Sequence, residues 1–172
     1  VVVPMGVRAD DYPGFVSSLF KLTNIRGALV TMPHKVTTTG LVDELSTTAR
    51  IAGSCNAILL RPDGTLAGDM FAGEGFVRGL LRMGRTIAGA RALVVGSGGV
   101  GCAIAASLAA AGVAELGLFD VDRAAAGALA DRLKAHYPAL GIALGSKDPF
   151  GYDIVVNATP LGMNDGDPMP VD

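Results

Sequence analysis

A glycine-rich segment in the second half of the chain restricts the possible fold more than any other feature. Residues 92–101 read A-L-V-V-G-S-G-G-V-G, and a second apolar run ends at the acidic residue Asp120. An apolar run ending in glycines at Gly96, Gly98 and Gly101, with an acidic residue about 20 positions further on, is typical of a dinucleotide-binding βαβ unit. The segment therefore predicts a strand, a tight turn and a helix of the Rossmann type.

Each glycine of this segment has a separate physical role. Gly96 permits the tight turn after the strand, Gly98 lets backbone N–H groups approach a pyrophosphate, and Gly101 lets the helix pack closely on the sheet. The pyrophosphate is expected at the helix N-terminus, where unpaired N–H groups and the helix dipole favour an anion. The residues predicted to bind the cofactor here are Gly96, Ser97, Gly98, Gly99, Val100 and Gly101.

Asp120 bears on the choice of dinucleotide. A carboxylate at the end of the second strand can accept hydrogen bonds from the adenosine ribose hydroxyls and would repel a 2′-phosphate, so NAD is expected and NADP is the less favoured cofactor. Arg123 lies close by in sequence and could pair with a 2′-phosphate. An alternative role for Asp120 is the N-cap of a helix that begins near Arg123.

Composition excludes several classes of protein. With a net charge of −2 and a pI near 5.6, the 172-residue chain has no basic footprint for nucleic acid or an anionic membrane. No stretch of about 20 apolar residues indicates a transmembrane helix. The two cysteines are too few for a disulfide framework and form no metal-ligand pattern with the two histidines. We expect no metal and a reducing, cytoplasmic environment.

Strands that alternate with helices predict an α/β protein with parallel sheets in both halves. The expected strands are Val1–Val3, Arg26–Met32 (buried), Ala92–Val95, Glu115–Phe119, Ile142–Leu144 and Asp153–Asn157. A hairpin of Ala57–Arg61 and Thr65–Asp69 is expected around Pro62-Asp63-Gly64. The expected helices are Tyr12–Leu22, Val36–Leu41, Ser46–Ile51, Gly73–Met83, one ending at Ala111, and Arg123–Tyr137. The segment Gly84–Gly89 predicts a domain junction. Residues 1–84 are then an N-terminal α/β domain and residues 85–172 a doubly wound Rossmann-type domain. The second domain is expected to lack its C-terminal part, because such a fold needs about six strands and about four are visible. The first is expected to lack its N-terminal part, because Val1-Val2-Val3 reads as mid-domain sequence.

Four further segments occur in the order of one family's motifs. Residues 27–35, G-A-L-V-T-M-P-H-K, resemble the G-x-N-V-T-x-P-x-K motif of shikimate dehydrogenases, and residues 52–57 resemble their G-A-V-N-T. Residues 68–76 resemble G-x-N-T-D-G-x-G-F, and residues 157–163, N-A-T-P-L-G-M, resemble N-A-T-x-x-G-M. Together with the glycine loop, these segments make nearly the whole chain similar to the shikimate/quinate dehydrogenase family.

The resemblance implies a two-domain enzyme that interconverts a cyclic hydroxy acid, such as shikimate or quinate, and its keto form with a nicotinamide cofactor. It implies that residues 1–84 bind this small-molecule substrate, that the protein is a monomer or homodimer, and that it acts in aromatic amino acid biosynthesis.

The family lysine corresponds to Lys35, whose ammonium can move a proton at the carbinol oxygen; the alternative is a solvated lysine. Thr31 and Asn56 are expected to bind ring hydroxyls, although Asn56 could instead stabilise a turn. We expect His34 to pack locally. Asn157, Ala158, Thr159 and Met163 are expected on the cofactor.

The chain departs from the family pattern at the catalytic aspartate, which falls on Ala72. An alanine there removes the charge that would orient the ammonium, so we expect reduced activity. Asp69 and Glu74 are close in sequence, but neighbouring side chains point in different directions.

Other departures concern the substrate and the cofactor. Leu29 and Met70 stand at family asparagine positions and Ala57 at a threonine position, which makes the expected pocket more apolar. Asp120-Val121-Asp122 replaces the N-R-T of NADP-binding members and strengthens the expectation of NAD. Two alternatives to the dehydrogenase hypothesis are a catalytically silent ligand- or cofactor-binding protein of the same fold and a related dehydrogenase with another substrate, such as an amino-shikimate or a methylene-folate.

Overall fold

A computed structural model describes residues 2–172. The packing of the backbone divides the chain into two α/β units, Val1–Met70 and Phe71–Asp172. No helix in this described range is both long enough and apolar enough to span a membrane.

The first unit contains a mixed four-stranded sheet. Its elements are α1 (Tyr12–Leu19), β1 (Gly27–Leu29), a 3₁₀ helix (Thr37–Gly40), β2 (Glu44–Leu45), α2 (Thr47–Ala52), β3 (Ala57–Leu60) and β4 (Leu66–Asp69). The strand order is β1-β3-β4-β2, with β3 antiparallel to both neighbours and β2 parallel to β4. The expectation of a parallel sheet in this half is therefore wrong. The expected hairpin explains why: a tight turn, in which Gly64 has a φ of 88°, joins β3 to β4, and a parallel pair needs a much longer crossover.

Two expected strands of this unit differ from the structure. The buried strand expected over Arg26–Met32 is the short strand β1, which pairs only with β3 and leaves Leu29 80% exposed. Of the expected strand Val1–Val3, Val2 and Val3 are not in a strand, and Val1 lies outside the described residues.

The core of the first unit is formed by α1 and the sheet. Tyr12, Val16 and Leu19 of α1 are buried at the spacing of one helix face. Tyr12 and Val16 belong to a cluster with Val30, Cys55 and Ile58.

The second unit is the expected Rossmann-type fold. Its elements are α3 (Ala72–Arg82), β5 (Arg91–Val95), α4 (Gly99–Ala110), β6 (Glu115–Phe119), α5 (Arg123–His136), β7 (Gly141–Leu144) and β8 (Ile154–Asn157). All strand pairs are parallel, in the order β7-β6-β5-β8. Four residues of β5, from Ala92 to Val95, are buried, which is why this strand is a continuous apolar run.

The helix α3 packs closely on α4 in the second unit. A Cβ added to Gly73 would lie 2.0 Å from the carbonyl oxygen of Ala103 and 2.5 Å from Oγ of Ser107, so only glycine permits this approach. The division of the backbone thus falls before α3, whereas the domain junction predicted from sequence lies after it. The assignment of residues 1–84 to substrate binding stays a prediction.

Candidate active site

The strand order of the second sheet marks where a ligand can bind. After β5 the chain builds β6 and β7 on one side, and β8 then pairs with the other side of β5. In open parallel sheets, ligands bind at the carboxyl ends of the strands where the order reverses in this way. At this edge, where we expect the ligand crevice, two segments leave the sheet: the glycine loop (residues 96–98), which follows β5, and the β8 loop (residues 158–167), which follows β8.

The three glycines of the motif have different surroundings. Gly96 has a φ of 106°, and a Cβ added there would lie 2.7 Å from the carbonyl oxygen of Ala158. A Cβ on Gly101 would lie 1.9 Å from the carbonyl oxygen of Gly96. Gly98 is exposed and has no atom within 4 Å of an added Cβ. Two glycines therefore permit close packing, and the third leaves open space in front of the loop, as a dinucleotide requires.

The N-terminus of α4 is open to an anion. Its N-cap, Gly98, provides no side chain to accept a hydrogen bond, and Gly98, Gly99 and Val100 are exposed. The next helix differs, because the side chain of Asp122 caps α5 by accepting a hydrogen bond from Ala124 N at 2.9 Å. The N–H groups of the first turn of α4 are therefore available to a pyrophosphate.

Asp120 connects β6 to the glycine loop. Its carboxylate accepts hydrogen bonds from the backbone N–H of Ser97 at 2.6 Å and of Asp122 at 2.9 Å. The N-cap of α5 is Asp122, so the N-cap role considered for Asp120 is wrong. In the sequence, the position of Asp122 directly before the helical run could have identified it as the N-cap. Arg123 is the first residue of α5 and is exposed.

The β8 loop is held largely by its own side chains. The Nδ2 group of Asn157 donates to the carbonyl of Leu161 at 2.8 Å, and its Oδ1 accepts from the backbone N–H of Thr159 at 3.0 Å. The hydroxyl of Thr159 donates to the same Oδ1 at 2.6 Å. Met163 is 80% exposed. Asn157 and Thr159 therefore shape the loop, and Met163 is accessible.

Cys102 lies beneath the glycine loop and was not singled out in the sequence. Its thiol donates to the carbonyl of Ser97 at 3.0 Å, and burial raises its pKa. Oγ of Ser97 is itself buried without a hydrogen-bond partner within residues 2–172.

In the first unit, the strand register aligns three motif positions. Leu29 of β1 pairs with Ala57 of β3, which in turn pairs with Asp69 of β4. The backbone of Asn56 joins the neighbouring segments: its carbonyl accepts from Val30 N at 2.8 Å, and its N–H donates to Asp69 O at 2.9 Å. The motifs around Leu29, Asn56 and Asp69 thus meet at one end of this sheet.

Lys35 is attached to the same end of the sheet by its backbone. Its carbonyl accepts a hydrogen bond from the N–H of Cys55 at 2.8 Å, next to Asn56. The side chain of Lys35 is half-buried, and Thr31, four residues earlier, is exposed. Within residues 2–172, the Lys35 ammonium has no hydrogen bond or ion pair to a protein group. It is therefore available to an external ligand.

His34, next to this lysine, has a local structural role, as expected. Its ring stacks on Tyr12 with the centroids 4.1 Å apart, and its Nε2–H donates to the carbonyl of Val7 at 3.0 Å. The hydroxyl of Thr38 donates to the His34 carbonyl at 2.9 Å and, since its proton is used there, accepts from the Tyr12 hydroxyl at 2.8 Å. Burial raises the pKa of Tyr12.

Neither acid near Ala72 in sequence is free to replace the family aspartate. Ala72 is half-buried at the start of α3. The carboxylate of Asp69 accepts from the Ser46 hydroxyl and, at 2.7 Å, from the N–H of Met70. Glu74 forms an ion pair with Arg78 at 2.5 Å.

Of the three apolar replacements expected in the substrate pocket, the two at family asparagine positions differ in exposure. Leu29 is 80% exposed and can contact a ligand. Met70 is 2% exposed, so its side chain contributes to the core. Within the described range, no group of three or more His, Cys, Asp and Glu side chains is arranged to hold a metal ion.

This fold and these motifs define an α/β protein whose second unit has the Rossmann-type strand order. Residues 1–58 match the family model described as the shikimate dehydrogenase substrate binding domain, and residues 81–126 match that of the ThiF family. A shikimate dehydrogenase (NADP(+)) of Rubrobacter xylanophilus is 38% identical over 176 residues, which cover 99% of this chain and 61% of that protein.

Two other relatives agree with this match. A quinate/shikimate dehydrogenase (NAD(+)) of Corynebacterium efficiens is 35% identical over 153 residues, covering 82% of this chain and 51% of that protein. The crystal structure of shikimate 5-dehydrogenase from Listeria monocytogenes, in complex with shikimate and NAD, has a TM-score of 0.84 and 27% identity, covering 93% of this chain and 58% of that one. The resemblance read from the motifs is confirmed: the chain is related to the shikimate and quinate dehydrogenases over nearly its whole length. It spans about three fifths of the length of the curated relatives it matches best, 61% of the Rubrobacter enzyme for example.

The comparison overturns the expected preference for NAD. Six relatives at 31 to 38% identity are all named as NADP(+) enzymes, against the one NAD(+) enzyme of Corynebacterium efficiens. The structure gives a physical reason why Asp120 was a poor guide. Its carboxylate already holds two backbone N–H groups, so its presence does not require ribose hydroxyls as partners. The exposed Arg123 is close by in sequence.

Proposed function

We propose that the complete protein is an oxidoreductase that transfers a hydride between a nicotinamide dinucleotide and a cyclic hydroxy acid of the shikimate or quinate type. The observation that carries this proposal is the glycine loop at the strand-order reversal. There the helix N-terminus is uncapped, and open space lies in front of Gly98. The relation to the shikimate and quinate dehydrogenases supports the substrate class. We place the activity in the cytoplasm, because of the low cysteine content, and in aromatic amino acid biosynthesis, as the resemblance implies.

The residues of the second unit bind and orient the cofactor in this proposal. The N–H groups of the first turn of α4 hold the pyrophosphate, and Gly96 and Gly101 keep the loop close to the helix. A nicotinamide held there would provide the hydride acceptor for oxidation of the alcohol and the hydride donor for the reverse reaction. Met163, exposed on the β8 loop, and Arg123, exposed at the start of α5, are further contacts in this proposal.

Lys35 moves the proton in this proposal. Hydride transfer at the carbinol carbon must be matched by a proton leaving or reaching the carbinol oxygen. An ammonium beside that oxygen can donate the proton during reduction and stabilise negative charge on the oxygen. The Lys35 ammonium has no protein partner within residues 2–172, which fits this role. Thr31 and Asn56 bind ring hydroxyls of the substrate.

We propose that Ala72 makes the enzyme slower than a member with an aspartate at this position. An aspartate would favour the charged ammonium and accept a bond from a substrate hydroxyl. Asp69 and Glu74 do not take over this role, because one holds Ser46 and the other pairs with Arg78. The exposed Leu29 gives the site an apolar contact, which favours a related substrate with fewer polar groups near this position.

A second candidate function is a binding protein without turnover. The same alanine supports it, because a protein that only senses a ligand does not need the catalytic carboxylate. The available ammonium of Lys35 counts against it, since sensing gives no evident reason to keep a proton-transfer group.

Initial rates with the complete protein separate these functions. Shikimate and quinate are each supplied with NAD⁺ and with NADP⁺, and the reduced cofactor is followed by its absorbance. Calorimetric titration of both cofactors accompanies the assay. Turnover with any of the four combinations supports the dehydrogenase. Cofactor binding without turnover in all four supports the binding protein.

A further inference from the structure

Asp167, near the end of the β8 loop, has a pair of hydrogen bonds that no motif predicted. Its Oδ2 accepts from the backbone N–H of Gly162 at 2.9 Å and from that of Asn164 at 3.0 Å. One carboxylate oxygen thus joins the residues on either side of Met163. The backbone adds two bonds: Met163 N donates to Pro160 O at 3.2 Å, and Asp167 N donates to Asn164 O at 3.2 Å.

The segment that this carboxylate holds belongs to the β8 loop, which we expect to border the dinucleotide crevice. The β8 loop begins against the glycine loop, where the Ala158 carbonyl oxygen is 2.7 Å from a Cβ added to Gly96. The side chain of Asn157 ties the first half of the loop through Leu161. Asp167 ties the second half, and Gly162 within it has a φ of 92°, which favours glycine.

We propose that Asp167 is a positioning residue of the dinucleotide site, whose carboxylate fixes the turn Gly162–Asn164 and thereby presents Met163 at the edge of the crevice. The proposal rests on the function proposed above only in requiring that the crevice binds a dinucleotide. The hydrogen bond from Asn164 N–H lowers the pKa of Asp167, so the group is a charged acceptor at neutral pH.

Three variants of the complete protein separate the position of the acceptor from its charge. Both bonds reach the same oxygen, so the amide oxygen of Asp167→Asn can accept them without the charge. Asp167→Glu keeps the charge and moves the acceptor by one methylene. Asp167→Ala removes the acceptor. Asp165→Ala is the matched control, because Asp165 is an exposed acid two residues away.

The measurements are the Kd of NAD⁺ and NADP⁺ by calorimetry and amide hydrogen exchange of residues 160–164. Two lost hydrogen bonds predict Kd values about tenfold or more higher for Asp167→Ala, with faster exchange of these amides. We expect Kd within about threefold of wild type for Asp167→Asn and Asp165→Ala, and a higher Kd for Asp167→Glu than for Asp167→Asn.

Three outcomes overturn the proposal. The first is tighter binding by Asp167→Glu than by Asp167→Asn, which would assign the effect to charge. The second is a Kd for Asp167→Ala within twofold of wild type, and the third is a wild-type protein that binds neither dinucleotide. If Asp167→Ala does not fold, the order of the other two variants decides. Failure of catalysis alone leaves these binding results intact, so the two proposals fail separately.

Discussion

Replacement of Gly101 by alanine tests how closely α4 approaches the glycine loop. The added Cβ would lie 1.9 Å from the carbonyl oxygen of Gly96, whereas carbon and oxygen in close contact are about 3.3 Å apart. The helix or the loop must therefore move by about 1.4 Å, given the 1.9 Å starting distance. The Cβ of Ala158, 3.2 Å away, further restricts this movement.

The stability loss follows from this required shift. Overpacking costs about 1 to 3 kcal/mol, and we expect the upper end because the atom met is backbone. For a chain of this size, about 3 kcal/mol lowers Tm by roughly 6 to 12 °C. Because the loop that must move is the one proposed to bind the pyrophosphate, dinucleotide affinity should fall as well.

Gly98→Ala is the matched control in the same loop. Gly98 has a φ of −71° and open space around an added Cβ, so alanine should cost only the N-cap preference for glycine, about 1 kcal/mol, and lower Tm by roughly 2 to 4 °C. The methyl group would still point into the space proposed for the cofactor and weaken its binding. Thermal unfolding by circular dichroism and cofactor titration separate the two effects. A Gly101→Ala protein with unchanged Tm would refute the close approach of helix and loop.

Two further predictions concern the missing aspartate and the buried thiols. Ala72→Asp should raise kcat/KM for shikimate or quinate by about tenfold or more in steady-state assays, equivalent to about 1.4 kcal/mol of transition-state stabilisation. If neither substrate shows a gain, the assignment of Ala72 to the aspartate position is contradicted. Burial raises the pKa of both Cys55 and Cys102, so neither thiol should react with a disulfide reagent at pH 8 until the protein is unfolded. The pKa values of both thiols in the folded protein lie above the ordinary value of about 8.5. The free energy of unfolding should therefore not depend on these groups below about pH 8.5, and it should fall as the pH rises from there through the pKa values of the folded state. Urea unfolding at several pH values measures this. Rapid labelling of either thiol in the native protein, or stability constant up to pH 10, would contradict this.

The sequence contained enough local information to predict the second unit well. Its strands are largely apolar runs, the first of them ends at the glycine loop, and helices separate β5 from β6 and β6 from β7, as in a parallel sheet. The hairpin around Gly64 could be predicted from an equally short stretch of sequence. The exposure of β1 could not be predicted in this way. It depends on which strands pair on either side of β1, and that pairing is not encoded within the strand itself.

The candidate site was predictable in the same uneven way. The turn at Gly96 and the close packing at Gly101 were predictable because each depends on local backbone geometry, whereas the contact of Gly98 with a pyrophosphate stays a prediction. The bonds of Asp120 and Asp167 to backbone N–H groups come from loop conformations that no periodic pattern specifies. The NAD expectation failed for that reason: a carboxylate can serve the loop as well as a ligand.

Kinetic measurements on a Lys35 variant test whether this side chain transfers the proton. The complete protein is compared with Lys35→Ala and with Lys21→Ala, which removes another lysine of the first unit that is exposed. With whichever of shikimate or quinate is turned over, loss of a positioned proton donor should lower kcat by about 10² to 10⁴, with a smaller change in cofactor Kd. Lys21→Ala should match wild type. If Lys35→Ala retains the wild-type kcat, or if its only defect is a raised KM, Lys35 does not transfer the proton and the account is contradicted.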